Sequence, residues 1–306
     1  MTNKQLPKRG IKKIGFLFKE TIIEFINDNA LKLSAALSYY TIFSLPALLI
    51  IVTSFCSLYF GTQAIQGELY GQIKDLVGGQ AALQIQEMVK NVNLSEHSTI
   101  ATVIGVIILV IGASGIFAEI QDSINYVWGI KAKPKRGLIR FVINRIMSFS
   151  MIASVGFLLL VGLIVSSLME LLSNRLQTHF SSESVYMFYS LNIISLFILI
   201  TILFLIIFKI LPDGKISFRD CLLGALFTAI LFMAGKFLIG AYIGSSSITT
   251  LYGSAGSIVI ILAWVYYSAI ILYFGAEFTK VYSKTYGKKI IPNKYTVLIP
   301  KSEGNL

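Results

Sequence analysis

Hydrophobic residues along this chain are concentrated in six runs, which shorter polar segments separate. Each run is close to or above the ~20 residues that a helix needs to cross the hydrocarbon core of a bilayer. The pattern therefore predicts an all-α polytopic membrane protein whose six transmembrane helices cover residues 33–60, 100–118, 146–169, 185–210, 218–243 and 253–276.

The segment before the first run has a helical pattern in which apolar residues recur at intervals of three and four: Ile11, Ile14, Phe18, Ile22 and Phe25. We predict an amphipathic helix within 1–32. It either lies on the cytoplasmic leaflet, whose anionic lipids attract its lysines, or packs on the protein's own inner face. No short apolar core with a small-residue cleavage site follows the basic start, so no removable signal peptide is expected.

The connecting segments differ in character. Two amphipathic stripes in residues 61–99 predict helices that lie on the outer surface or cap the bundle. The uncharged, hydroxyl-rich connection 244–253 either dips into a cavity or forms a plain turn. The organisation predicted is a membrane domain at 33–283 followed by a basic cytoplasmic tail at 284–306, the end of which we expect to be disordered.

Composition agrees with the bilayer as solvent. The mean hydropathy is +0.76 and only 13% of the residues are charged, which excludes an ordinary soluble globular protein. On the predicted topology, 22 of the 26 Lys and Arg residues lie on the side of both termini. The positive-inside rule places that side in the cytoplasm, so we predict that both termini are cytoplasmic. The same bias explains the net charge of +11 without nucleic acid as a partner.

The sequence does not predict an enzyme, a cofactor or a metal site. His97 and His179 lie in different external loops, and no zinc-ligand or nucleotide-binding motif occurs. Cys56 and Cys221 fall at opposite membrane faces of the predicted topology, too far apart for a disulfide. The carboxylates Glu119 and Asp122 are three residues apart, which is only a weak metal signal.

Polar residues in the first span have two interpretations. Ser34, Ser38 and Thr41 share one helical face, with Tyr39 beside them. Pro46 removes a helical hydrogen bond and is expected to kink the helix. The hydroxyls either line a pathway or bond back to their own backbone.

A stripe of small residues in the second span leads to Glu119 and Asp122. These acids either point into the bundle or its mouth, or are solvated at the end of a membrane helix. Lys236 in the fifth span either points inward or snorkels to the outer boundary, because it lies about 25 Å along the axis from Arg219.

Glu277 ends a stripe in the sixth span that includes Tyr267, and we predict it at the depth of Glu119 and Asp122. An inner-face charge network would then have three arginines available as partners, namely Arg140, Arg145 and Arg219.

Several separated motifs identify a family. They are Ala35–Pro46, Gly115–Asp122 with Asn125 and Trp128, Leu211–Asp213, Tyr252–Gly253 and Gly275–Glu277. With these residues the chain resembles, over nearly its whole length, the YihY/BrkB family of membrane proteins, also called the virulence factor BrkB family and once labelled ribonuclease BN. The resemblance implies a six-helix inner-membrane protein tied to the cell envelope and often described as a transporter. It implies no settled substrate.

Two functions follow as expectations. The first is a transporter or flippase for an amphiphilic or anionic envelope-related substrate, and the second is a membrane scaffold for envelope assembly. For a transporter, the predicted pathway comprises Ser38, Tyr39, Thr41, Pro46, Glu119, Asp122, Asn125, Lys236, Tyr252, Tyr267 and Glu277. The expected partners are the bilayer, with anionic lipids at its cytoplasmic face, and a lipid or amphiphile substrate. The small-residue stripes suit packing within one chain or in a homo-oligomer.

Overall fold

The computed structural model describes residues 10–44, 83, 115–132, 154, 183–245, 256–293 and 296–298. Helices dominate these residues. We number them α1 (Gly10–Asn27), α2 (30–44), α3 (115–127), α4 (Glu183–Ile210), α5 (Phe218–Ser245) and α6 (Gly256–Thr285). The predicted third span and the external segment 61–99 lie outside the described residues, apart from Ser154 and Leu83.

Three described helices are long and apolar enough to cross a membrane, with candidate spans at Ile193–Ile210, Phe218–Ile239 and Ile258–Thr285. They correspond to the fourth, fifth and sixth predicted runs. The sixth helix continues to Thr285 instead of ending near 276. In this extension Val281 and the polar residues Glu277, Thr279 and Ser283 are buried, whereas Lys284 is exposed.

Helix α5 is the centre of this group, since it packs against α4 on one side and α6 on the other. The contact with α6 pairs glycine with threonine in both directions. Thr279 fills the space beside Gly224, and Thr228 fills the space beside Gly275. Each threonine hydroxyl also donates a 2.7 Å hydrogen bond to the carbonyl of the glycine on its own helix. The missing Cβ atoms thus let the antiparallel helices approach closely.

Helix α1 packs against α6, which is the second of the two predicted placements for the amphipathic segment. Phe18 and Phe25 contact the ring of Phe274 edge-on at 5.6 and 5.5 Å between centroids. The ammonium of Lys13 lies 3.7 Å from the ring centroid of Tyr286. Aromatic and cation–π contacts therefore attach the N-terminal helix to the last span.

Asn29 separates α1 from α2. Its φ of 50° is the left-handed conformation that commonly ends a helix and that Asn tolerates. Its N–H bonds the carbonyl of Ile26, and its own carbonyl accepts from the N–H of Lys32 in α2. One residue therefore ends the first helix and begins the second.

Four short strands lie at the ends of the helices. Strand β1 (Ile130–Ala132) pairs antiparallel with β4 (Thr296–Leu298), and β2 (Gly214–Lys215) pairs antiparallel with β3 (Ile291–Pro292). The hydrophobic pattern indicated no strands, and it assigned residues 291–298 to the tail. These residues pair with the segment after α3 and the loop between α4 and α5.

Candidate functional site

A cluster of ionisable side chains joins α1 to α6. We call Glu24, Asp28, Glu277 and Lys280 the ion cluster. The Nζ atom of Lys280 lies 2.6 Å from Glu24 Oε2, 3.1 Å from Asp28 Oδ2 and 3.0 Å from Glu277 Oε2. The side chains of Glu277 and Asp28 are 0% and 4% exposed, and those of Lys280 and Glu24 are 12% and 26% exposed. Three acids thus surround one base in a largely buried setting.

Backbone geometry explains how these residues meet. Glu24 and Asp28 are four residues apart, at the end of α1, and Glu277 and Lys280 are three apart on α6. Each pair therefore shares one helical face. An oxygen from each of the three carboxylates lies within 4.8 Å of the other two, a spacing that a cation can bridge. The ammonium of Lys280 occupies that position.

A second polar group, which we call the Asp213 network, lies in the loop between α4 and α5. Asn125 of α3 donates from Nδ2 to Asp213 Oδ2 at 3.0 Å, and its Oδ1 accepts from the N–H of Asp213 at 2.8 Å. Gln121 Nε2 donates to Asp213 Oδ1 at 3.2 Å. From the C-terminal segment, the Asn293 N–H and the Thr296 hydroxyl donate to the Asp213 carbonyl. All these side chains except that of Asn293, which takes part only through its backbone, are buried.

The Asp213 network brings together motifs that are far apart in the sequence. Asn125 and Gln121 belong to the motif in α3, whereas Asp213 ends the Leu-Pro-Asp motif. Trp128, just after α3, donates from Nε1 to the carbonyl of Ala276, 3.1 Å away in the Gly-Ala-Glu motif. The residue after Ala276 is Glu277, so the two buried polar groups lie on adjoining parts of the fold.

The family model described as Virulence factor BrkB matches residues 21–295 of the chain. The chain belongs to the BrkB family.

Curated relatives of this BrkB-family protein are named as membrane proteins. It is 26% identical over 282 residues to the UPF0761 membrane protein VV0203 of Vibrio vulnificus, with 90% of this chain and 84% of the relative covered. The UPF0761 membrane protein PSPA7_4558 of Pseudomonas paraeruginosa is 26% identical over 260 residues, covering 82% of this chain and 59% of that protein. A UPF0761 membrane protein of Azotobacter vinelandii is 27% identical over 256 residues, covering 83% and 60%. No solved structure matches the chain.

The hydroxyl face of α2 in this BrkB-family protein is buried and bonds back to the helix. Ser34, Ser38 and Thr41 donate to the carbonyls of Ala30, Ser34 and Leu37 at 2.7–2.9 Å. This is the second of the two interpretations made from the sequence. Tyr39 lies on the opposite, exposed side, where its ring contacts those of Tyr40 and Phe43.

The two acids of α3 lie in different surroundings. Glu119 is half-buried, and Ser123 Oγ lies 3.4 Å from its Oε1. Burial, and next the charge of Asp122, raise the pKa of Glu119, while the hydrogen bond from Ser123 opposes that rise. Asp122 is exposed. The bundle-facing interpretation therefore suits Glu119, and the solvated one suits Asp122.

Lys236 and Tyr267 lie at a similar depth on the adjacent helices α5 and α6, and neither belongs to the ion cluster. The hydroxyl of Tyr267 occupies the space beside Gly235. The Lys236 ammonium lies 5.5 Å from the ring centroid of Phe237, an exposed side chain, which fits the snorkelling alternative. Pro46 and Tyr252 lie outside the described residues.

Among the described residues, the base that pairs with Glu277 is a lysine, whereas three arginines were named from the sequence as available partners. Glu277 pairs with Lys280, one turn further along α6, and meets two acids of α1. Arg219 is exposed, and Arg140 and Arg145 are not among the described residues. The sequence prediction ended the sixth span at residue 276 and left open whether α1 lies on the leaflet or packs on the protein, so it did not pair Glu24 and Asp28 with Lys280. Their spacings of four and three were the available signal.

Proposed function

We propose that this BrkB-family protein is an inner-membrane transporter or flippase for an anionic, amphiphilic, envelope-related substrate. The observation that carries the proposal is the ion cluster, because Glu277 and Lys280 belong to a candidate membrane span. Charged residues in such spans are costly and are typical of ion and substrate pathways. The proposed role is therefore transport, without catalytic chemistry.

The substrate class rests on the distribution of charge along the α5–α6 pair. Gly224 faces Thr279 and Thr228 faces Gly275, so Glu277 is level with about residue 226 of α5. Lys236 then lies ten residues, or about 15 Å, further along the axis. Lys236 would attract the anionic head group of a substrate, and the acid-rich ion cluster lies at a different depth. This separation of charge suits an anionic substrate that passes Lys236.

The exposed side of α1 fits a position against the lipid headgroups. Ile14, Phe18, Ile22 and Ile26 are exposed at intervals of four and form a stripe beside the buried Leu17 and Phe25, with Phe18 at the edge that also contacts Phe274. An apolar stripe of this kind on a helix attached to a membrane span would contact the cytoplasmic leaflet. The basic residues of the same segment would favour anionic lipids there.

A scaffold role is the second candidate. The α2 hydroxyls are bonded to their own backbone, and the α5–α6 contact is closely packed. Both features suit a bundle whose surfaces, rather than an interior path, carry out its function.

Liposomes containing the purified protein test the proposal. A fluorescent anionic phospholipid is placed in both leaflets, and an impermeant quencher reports how fast the inner molecules reach the outside. We expect faster exchange than in protein-free liposomes. Lys236→Ala should abolish the exchange, and a tenfold loss would correspond to about 1.4 kcal/mol in the barrier.

The matched control is Lys215→Ala, which removes an exposed lysine in β2 and should leave exchange unchanged. Exchange by the wild type no faster than in empty liposomes would favour the scaffold. Normal exchange by Lys236→Ala would remove that residue from the pathway.

A further inference from the structure

The ion cluster contains more negative than positive charge. If all four groups were ionised, three carboxylates would face a single ammonium. Glu24 and Asp28 also lie at the C-terminal end of α1, where the helix dipole is negative and where the last turn has no basic residue. The uncompensated burial of a carboxylate is costly, and such a group takes up a proton instead.

Within the described part of the chain, Lys280 is the base that contacts Glu277. Helix α1 presents Glu24 and Asp28, and α6 itself presents Lys280 and, one turn earlier, Tyr273. From α5, the uncharged Gly224, Phe227 and Thr228 face this part of α6, and the acid Asp220 lies further along, against Gly287 and the N–H of Lys288. From α3, the side that packs here carries Trp128, which bonds Ala276, and Glu119 lies further along towards Tyr273.

One carboxylate oxygen in the cluster, Oε1 of Glu277, has surroundings that favour a protonated carboxyl group. Glu277 is fully buried, and its Oε2 is bound to Lys280. No donor from a base, amide or hydroxyl reaches its Oε1 among the residues that the structure describes, and its carboxyl group lies within hydrogen-bond reach of the carboxyl group of Asp28. A buried carboxylate oxygen without a donor is strongly disfavoured when charged. The ammonium of Lys280 already occupies the position between the three acids that a metal ion would take.

We propose that the ion cluster is a proton-binding site, in which Glu277 holds the proton and the acids of α1 complete the site. Release of the proton adds a charge between α1 and α6 and weakens their contact; rebinding restores it. The proton would then be the coupling ion of the transporter, and this last step alone rests on the proposed function.

Infrared difference spectroscopy of the full chain in lipid nanodiscs tests the site without any substrate. As the pH is raised from mildly acidic to alkaline, the carbonyl band of a protonated carboxyl group should disappear. Uniform labelling of glutamate with ¹³C should shift this band in the wild-type protein, which identifies a glutamic acid without a variant. Glu277→Gln should abolish the band, whereas Glu20→Gln, which changes a half-buried glutamate of α1 outside the ion cluster, should retain it.

Lys280→Met provides an independent variant. Loss of the ammonium leaves the acids uncompensated, so the midpoint of the band should move to higher pH. Lys284→Met, an exposed lysine one turn later on α6, should leave the midpoint in place. The absence of a titrating glutamic-acid band in the wild type, or its persistence in Glu277→Gln, would overturn the proposal.

The two proposals fail separately. A glutamic-acid band without lipid exchange in liposomes would leave the proton site standing and refute transport. Lipid exchange without such a band would support transport and refute the proton site.

Discussion

The hydrogen bonds of buried Asp213 show how a single residue restricts which side chains can surround it. Both of its carboxylate oxygens, its N–H and its carbonyl are bonded, to Gln121, Asn125, Asn293 and Thr296. A buried carboxylate needs several donors. Asn125 supplies both a donor and an acceptor to Asp213, so a hydrophobic side chain at 125 would remove two of its hydrogen bonds.

Asn125→Leu should therefore lower the free energy of unfolding by about 2–4 kcal/mol, because it leaves a buried charged group with fewer donors. Denaturant unfolding of the protein in detergent micelles measures the change. Asp122→Asn, at an exposed site one turn earlier, should stay within about 0.5 kcal/mol of wild type. Equal stability of the two variants would show that the Asp213 network contributes little to stability.

At the scale of elements, the α5–α6 contact depends on two glycines. Gly224 and Gly275 each lie under a threonine of the opposite helix. The carbonyl of each glycine also accepts a hydrogen bond from the threonine one turn later on its own helix. A Cβ atom at either position would overlap the threonine hydroxyl and force the helices apart. Close approach, not helix propensity, explains glycine at these positions.

Gly275→Ala should thus destabilise the protein by about 1–3 kcal/mol through overpacking. Gly15→Ala is a matched control, because nothing lies within 4 Å of the Cβ that it adds. Alanine there should stabilise α1 by up to ~1 kcal/mol. Thermal unfolding in the same detergent compares the two variants. If both shift the midpoint in the same direction, the contact is looser than the structure indicates.

At the scale of the whole molecule, the distribution of lysine and arginine predicts the orientation. The ends of α1 and α6 meet in the ion cluster, so the N-terminal helix and the last residues of the final span lie on one side of the bundle. That both termini lie in the cytoplasm is a prediction from the positive-inside rule.

Cysteine accessibility in intact cells tests this orientation. In a background without Cys56 and Cys221, a cysteine at His97 should react with an impermeant maleimide, and one at Lys135 should react only after the membrane is opened. Labelling of both positions from the same side would overturn the predicted topology.

The hydrophobic pattern predicted well those features that depend on local sequence and on the solvent. The bounds of α4 and α5 follow from runs that only a bilayer could solvate, and the amphipathic α1 follows from spacings of three and four. The motifs that identified the family, including Asn125, Asp213 and Glu277, are also local. These features need no knowledge of which segments meet.

Pairing between distant segments was decided by the tertiary structure alone. A helical period shows that Glu24 and Asp28 share a face, but not that Lys280 lies opposite them, because many charged residues were available as partners. Likewise, β3 and β4 are too short to have a pattern of their own; they exist because β1 and β2 offer backbone partners. The sequence by itself determined the solvent and the helices, and only packing decided which charges became neighbours.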